Sequence, residues 1–487
     1  MPQDNDPKLD LHEIQGDVLI GLQKNFENFI FFKIVKVPAF KAAMMQHVIG
    51  QITTVQQVRE RDFKNQEGQR HGEQWLGLNV SFTKDGLTKL LGPKRARLDA
   101  PFENGADNPA TWLTLNDPPP STWLSTFRSD TIDGVFFVTG PDEPFVTNHS
   151  KALLGDLSDS LGVVHQEMGN VRPNPMRGHE HFGFLDLISQ PGIRGLTKRS
   201  NTKEPNEGHP GQDLIWPGEF VFGYSGQDPY DPVAHGTPPA VPASWVRNGS
   251  LMVFRRLEQK VPEFNAFVGE QAGKLGIDPE LFASRMVGRW KSGAPTLLAP
   301  LHDHSALGKD PELNNNFQYS SDQLQLACPY AAHIRKTNPR DDPDRNKAEV
   351  QTHRIIRAGI PFGPEVGEDE VTVTVQSRGL MFVCYQTSIW KQFEFLQNKA
   401  NDVAFVGGKT RPSARGKEVV KPGFDPIIGQ APGEGSRPIE VVSVGKTPYT
   451  FDMPNSWVVL TAAAYFFVPS ITGLGTLLTS SALGWPQ

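Results

Sequence analysis

One five-residue pattern occurs twice in this chain, as Lys36-Val37-Pro38-Ala39-Phe40 and Lys260-Val261-Pro262-Glu263-Phe264. Each copy follows a run rich in aromatic and β-branched residues and precedes apolar residues at helical spacing. Each therefore reads as a strand handing over to a helix whose first turn holds the proline. A junction of this kind repeated 224 residues apart predicts a duplicated α+β unit. Strands are predicted at Asn28–Val37, Leu76–Thr83, Gly134–Thr139, Leu251–Leu257, Gly379–Gln386 and Ala464–Pro469, and a helix from Phe40 to Ile52. The pair Gly379–Gln386 and Ser388–Asn398 resembles Gly77–Thr83 and Asp85–Leu91, another strand followed by a helix. The expected fold is α+β in two halves, residues 1–245 and 246–487, each an antiparallel sheet with helices on one face. Pro38 lies 40 residues before Leu78, whereas Pro262 lies 118 before Leu380, so the second half carries a long insertion. Insertions on a scaffold are where function tends to sit.

Composition removes several classes. With 48 Lys+Arg against 54 Asp+Glu the net charge is −6, which argues against a nucleic-acid binder held by a basic surface. The 46 glycines and 41 prolines imply many turns and argue against a helical bundle. Two cysteines, Cys328 and Cys384, supply neither a disulfide framework nor a four-thiolate zinc site and are expected to be ordinary buried thiols. No apolar run approaches the ~18 residues of a membrane span, and no secretion signal is visible. Compartment and oligomeric state stay open. No Gly-x-Gly-x-x-Gly, P-loop, His-Glu-x-x-His, Gly-x-Ser-x-Gly or EF-hand pattern occurs, which sets aside the commonest nucleotide, zinc-protease, hydrolase and calcium readings.

Three segments place a reactive group inside apolar sequence. In Gly178-His179-Glu180-His181-Phe182-Gly183-Phe184-Leu185-Asp186-Leu187-Ile188, the carboxylate of Asp186 is flanked by apolar residues and needs a hydrogen bond or a counter-charge. In Cys328-Pro329-Tyr330-Ala331-Ala332-His333-Ile334-Arg335-Lys336-Thr337-Asn338-Pro339-Arg340, His333 follows an Ala-Ala step that lets something large approach. In His353-Arg354-Ile355-Ile356-Arg357-Ala358-Gly359-Ile360-Pro361, Arg357 leads into a Gly-Ile-Pro turn. A capping aspartate, a core-edge histidine and a salt-bridged arginine would account for each alone. The alternating His302-Asp303-His304 could seat a metal but brings no third ligand at helical spacing.

In the same order, these segments resemble the three signatures of the dye-decolorising haem peroxidases, most closely the fungal branch. Similar stretches include Glu13–Leu19, Asn79–Phe82, Gly134–Val138, Val287–Pro295 and Pro422–Gly429, so the resemblance covers nearly the whole chain. It implies two ferredoxin-like domains with a cavity for one haem b per chain between the sheet and helices of the C-terminal half. It also implies hydrogen peroxide and aromatic small molecules as reactants. By the resemblance, Asp186 is the distal acid-base, Arg357 the distal arginine and His333 the proximal iron ligand, and neutral imidazole suits that last role. Arg335 is expected to meet a haem propionate, and Leu380 and Phe382 to wall the pocket. Asp425 is the expected carboxylate behind His333, with Glu394 and Asp402 as alternatives.

Three positions depart from the family. Leu187 stands where a glycine usually follows the aspartate, and Lys399 and Phe362 stand where some members carry an exposed Trp and Tyr that pass electrons from bulky substrates. Trp390 and Tyr385 are the nearest replacements, with Tyr385 expected to be buried. A leucine beside the acid leaves a haem-binding or haem-processing protein of the same fold as the alternative function.

Overall fold

The computed structural model describes residues 6–66, 75–127, 131–199, 204, 206–342, 346–404, 410–413, 416–419, 422–430, 437–441, 449–454 and 456–480. Its frame is built from nine strands. β1 (Phe26–Ile34), β2 (Gly77–Phe82), β3 (Gly134–Gly140) and β4 (Leu161–Asn170) belong to the first half. β5 (Ser250–Gln259), β6 (Ile356–Arg357), β7 (Ile360–Phe362), β8 (Gly379–Gln386) and β9 (Val458–Val468) belong to the second. Within the halves the strand orders are β4-β1-β3-β2 and β7-β8-β5-β9, with β6 on β8 beside β7, and all these pairings are antiparallel. The two orders are the same ferredoxin-like arrangement.

The α+β class and the duplication hold, with one correction: the two sheets are not separate. β9 joins β2 through the pair Phe467–Phe82, and β4 joins β7 through Gly169–Phe362, so the strands close into one barrel. Aromatic rings from both halves fill it. Phe31 meets Phe127 at 4.7 Å and Phe254 at 4.9 Å between ring centroids, and Phe29 meets Phe137 at 4.9 Å. Edge-to-face contacts of this kind are each worth ~1 kcal/mol beyond burial, and the one between Phe31 and Phe254 ties β1 to β5 across the two halves.

The order also corrects one pairing. β8 occupies the third-strand position, so its counterpart is β3 rather than β2. β4 escaped the sequence because it alternates little and is largely half-exposed. Both Lys-Val-Pro-x-Phe copies start helices as expected: α1 (Val37–Ala43), continued by wider and tighter turns to Gln51, and α2 (Val261–Leu275). β1 ends early because Val35 and Lys36 give their N–H groups to Ser160 O instead of the ladder.

In β8, Met381, Val383 and Tyr385 pack into the barrel core, while Leu380 and Phe382 alternate to the outer face. The insertion between α3 (Pro279–Val287) and β6 folds over that face and carries the short helix α4 (His333–Thr337). The segment after β4 crosses from the first half to cover the same face, and Gln190 Nε2 donates to Arg357 O at 2.6 Å.

Candidate active site

Between the outer face of the second half and this cover lies a cavity of about 270 Å³. Its apolar walls come from Phe182, Phe184, Leu257, Leu380, Phe382 and Ile427 among others. Asp186, His333 and Arg357, far apart in sequence, all line it.

Asp186 sits on a loop that is tightly pinned. The half-buried carboxylate of Glu180 accepts the N–H groups of Phe182 and Phe184 at 2.9 and 2.8 Å, and Asp186 gives its own N–H to Gly178 O at 3.0 Å. Asp186 Oδ1 accepts from Arg357 Nη1 at 2.7 Å and from Leu187 N at 2.6 Å. Leu187 has φ +61, the left-handed backbone that costs a side-chain-bearing residue about 1–2 kcal/mol and that glycine adopts freely. Its side chain lines the cavity beside the carboxylate.

Arg357 is placed by a broken edge strand. β6 and β7 are one strand interrupted at Ala358 and Gly359, and a Cβ on Gly359 would lie 2.7 Å from Met381 O, so only glycine permits this approach to β8.

His333 opens α4, with Thr337 one turn on also lining the cavity. Its Nδ1 lies 2.8 Å from Asp425 Oδ2, and Asp425 Oδ1 accepts from Ile427 N and Ile428 N at 2.8 and 3.1 Å. Burial alone would lower the pKa of His333, but the charge and hydrogen bond of fully buried Asp425 outweigh it and raise the pKa. This pairing puts the proton of the neutral ring on Nδ1 and leaves Nε2 as a donor of its lone pair. Of the three carboxylates considered, Asp425 therefore partners His333. Glu394 accepts from Tyr465 OH at 3.0 Å, and Asp402 lies 3.6 Å from Lys399 Nζ.

Arg335 is corrected. Two positions along a helix are about 200° apart, so it points away from the face His333 presents. Its guanidinium is fully buried, gives two hydrogen bonds to Asp342 at 3.0 and 2.7 Å and one to Cys328 O at 2.6 Å, and lies over the rings of Tyr319 and Tyr330. It braces the His333 loop instead of reaching the cavity.

Besides Arg357, the cavity is lined by cations that sequence reasoning missed: Arg255, and a cluster of Arg289, Arg340 and Arg354. Arg289 and Arg340 both donate to Asn315 Oδ1, at 2.8 and 3.1 Å, and Arg289 and Arg354 both donate to Ser189, one to Oγ and one to the carbonyl. Burial and then the charge of Arg340 bring Arg289 down to about 9, and burial, partly offset by Asp213, brings Arg354 down to about 10. Such crowding of buried cations is relieved by an anion. Arg340 closes the segment that carries His333 and Arg354 sits three residues before Arg357, so both lay inside segments already singled out.

The donor set suits a flat apolar macrocycle with an iron and acidic groups: one imidazole nitrogen, apolar walls and a buried arginine cluster. His302 and His304 are exposed, and His304 Nδ1 caps a short helix through Leu307 N. No group of three or more metal-ligating side chains occurs among the described residues. Both cysteines are free and buried, as expected. No described helix is long and apolar enough to cross a membrane.

Residues 13–173 match the DyP dimeric alpha+beta barrel domain, and residues 239–405 match the C-terminal domain of Dyp-type peroxidases. The chain is 35% identical to Peroxidase 2 of Mycetinis scorodonius, with 97% of this chain and 88% of that protein covered. It is 34% identical to a dye-decolorizing peroxidase of Auricularia auricula-judae, covering 97% and 87%. Among solved structures, a point variant of the dye-decolorizing peroxidase from Pleurotus ostreatus superposes with a TM-score of 0.84 at 36% identity, covering 97% of this chain and 100% of that one. A dye-decolorizing peroxidase in complex with 2,6-dimethoxyphenol superposes with a TM-score of 0.80 at 34% identity, again over 97% and 100%. With matches in both halves and likeness over nearly the whole length in sequence and fold, this chain belongs to the dye-decolorising peroxidase family.

Proposed function

We propose that the chain is a haem b peroxidase that holds one haem and uses hydrogen peroxide to oxidise phenols and aromatic dyes by one-electron steps. The observation that carries this reading is the meeting, in one apolar cavity, of an imidazole backed by a buried carboxylate and an aspartate paired with an arginine. His333 would hold the iron through Nε2, with Asp425 fixing the ring and raising its basicity. Arg289, Arg340 and Arg354 would meet the acidic groups of the macrocycle. Bound there, haem would supply an iron that takes up peroxide and stores two oxidising equivalents.

The chain's own part is to handle the proton. With Oδ1 of Asp186 engaged by Arg357 and Leu187, Oδ2 is left to take a proton from one peroxide oxygen and return it to the other. Arg357 gives a fixed cation to the charge that develops on the departing oxygen. The 2,6-dimethoxyphenol complex of a relative supports small phenols as substrates. Haem titrated into the protein should give a Soret band and peroxide-dependent oxidation of 2,6-dimethoxyphenol. No Soret band would remove the reading, and a band without turnover would favour haem processing.

Leu187 bears on that choice. Leu187→Gly should change stability by less than about 1 kcal/mol, because relief at φ +61 offsets the extra freedom of glycine in the unfolded chain. It should also speed the reaction with peroxide by widening the space beside Asp186. Unchanged or slower stopped-flow kinetics would mean that the leucine does not obstruct.

Bulky dyes need a route through the surface. Phe362 is buried under Arg256, Tyr385 is buried with its hydroxyl on Asp17 at 2.5 Å, and Lys399 lies near Asp402. Trp390 is 69% exposed and starts the turn that leads to Phe393 and Leu396 on the cavity wall. Trp390→Phe should lower turnover of a large anthraquinone dye while sparing a small phenol and the first reaction with peroxide. Equal losses on both substrates in steady-state kinetics would take Trp390 off the path.

A further inference from the structure

Behind the cavity wall lies a pair of groups with no part in the chemistry above. Tyr465 of β9 stands in register with Val253 of β5, on the strand face that carries Arg255 and Leu257 to the cavity. Its ring is buried, 6.5 Å from that of Phe393, which is 6.2 Å from Phe382 between centroids. Phe393 and Phe382 both line the cavity. On its far side the phenol donates to Glu394 Oε1 at 3.0 Å, and Glu394 is itself only 6% exposed.

A buried tyrosine gives up an electron readily only if its proton has somewhere to go, because the cationic phenol is a strong acid in a medium that penalises charge. Two other buried tyrosines show what is lacking elsewhere. Tyr319 lines the cavity, but its hydroxyl has no hydrogen-bond partner. Tyr385 donates to Asp17, but it belongs to the barrel interior, on the strand face opposite Leu380 and Phe382. Tyr465 combines a position one aromatic ring behind the cavity wall with an acceptor at hydrogen-bond distance.

We propose that Tyr465 is a redox-active tyrosine that gives one electron to the peroxide-oxidised centre in the cavity and its phenolic proton to Glu394. The O–H bond of Tyr465 breaks and an O–H bond forms at Glu394 Oε1. The electron cancels one of the two oxidising equivalents that hydrogen peroxide leaves in the cavity. The products are a neutral tyrosyl radical and a protonated Glu394. An electron from an aromatic substrate, with the proton returning from Glu394, restores the pair. The inference rests on the haem peroxidase reading above.

The charges around Glu394 favour proton uptake. Burial raises its pKa most, the hydrogen bond from Tyr465 lowers it, Asp99 and Asp117 raise it, and Arg255 lowers it, leaving it at about 7. Above that value the carboxylate is free to accept; below it the acceptor is already filled. Radical yield should therefore rise about tenfold between pH 6 and pH 8, the change in the ionised fraction of a group at 7.

The test is electron paramagnetic resonance on haem-loaded protein frozen after mixing with peroxide, with natural and ring-deuterated tyrosine. Wild type should give a signal that narrows on deuteration and grows from pH 6 to pH 8. Tyr465→Phe, which keeps the ring, and Glu394→Gln, which keeps the shape, should both lose it while the Soret band persists, and Tyr319→Phe should keep it. The same deuterium-sensitive signal in Tyr465→Phe, or a yield independent of pH, would overturn the proposal alone. No Soret change on adding peroxide to wild type would overturn the haem peroxidase reading, in favour of haem processing, and this proposal with it.

Discussion

Asp186→Asn should lower the rate of reaction with hydrogen peroxide by about 10²–10⁴ and leave haem binding intact. Asparagine has the shape of aspartate, and its carbonyl oxygen still accepts the hydrogen bonds that Arg357 and Leu187 N give to Asp186 Oδ1. What the amide lacks is a second oxygen able to take and return a proton. The loss should therefore fall on the reaction and not on the fold. Each partner of the Asp186–Arg357 pair keeps about a quarter of its side chain exposed, so the pair contributes no more than ~1 kcal/mol of stability. Arg357→Leu should harm the reaction comparably by removing the cation. Stopped-flow mixing with peroxide measures both, and a wild-type rate in both variants would defeat the assignment.

His333→Ala should cost the protein most of its haem. The cavity walls are largely apolar and the arginines would meet only the acidic groups of a bound haem, so the iron would lose its one imidazole ligand. Asp425 would lose one of its three hydrogen bonds while staying buried, at a local cost of about 1–3 kcal/mol. That is too little to unfold a domain of ordinary stability. Added imidazole, small enough for the space vacated, should restore part of the Soret absorbance. His302→Ala and His304→Ala, both remote from the cavity, should keep normal haem. Haem content per chain settles the matter, and a normal value in His333→Ala would assign the iron to another residue.

Much of this arrangement was legible because β-strands with one face in a core advertise it. The phenylalanine-rich β1 and the apolar β3 and β8 fell nearly where their sequences put them. β4 did not, since a strand with few fully buried residues needs no apolar run, and the broken edge of β6 and β7 is too short to carry a period. Closure of the barrel was invisible for a related reason: each join rests on a single residue pair, and neither pair has a sequence signature of its own. In the site, Asp186, His333 and Arg357 stand out by chemistry in apolar or Gly-Pro surroundings, whereas the choice of Asp425 comes only with the family resemblance. Arg335 misleads because proximity in sequence is not proximity in space, whereas Arg340, seven residues beyond His333, reaches the cavity after the chain turns back.

The two narrow joins carry a consequence for how such a chain survives synthesis. A four-stranded half alone would present bare backbone donors and acceptors along both outer strands, a template on which another unfinished chain could build. In the closed ring each half covers the other's borders, with Phe82 meeting Phe467 at one seam and Gly169 meeting Phe362 at the other. Resistance to aggregation is thus a joint property of two segments made at different times. The first half emerges with β2 and β4 uncovered, and they remain so until β7, which begins 190 residues after β4 ends, and β9, which begins 376 residues after β2 ends, arrive to shield them.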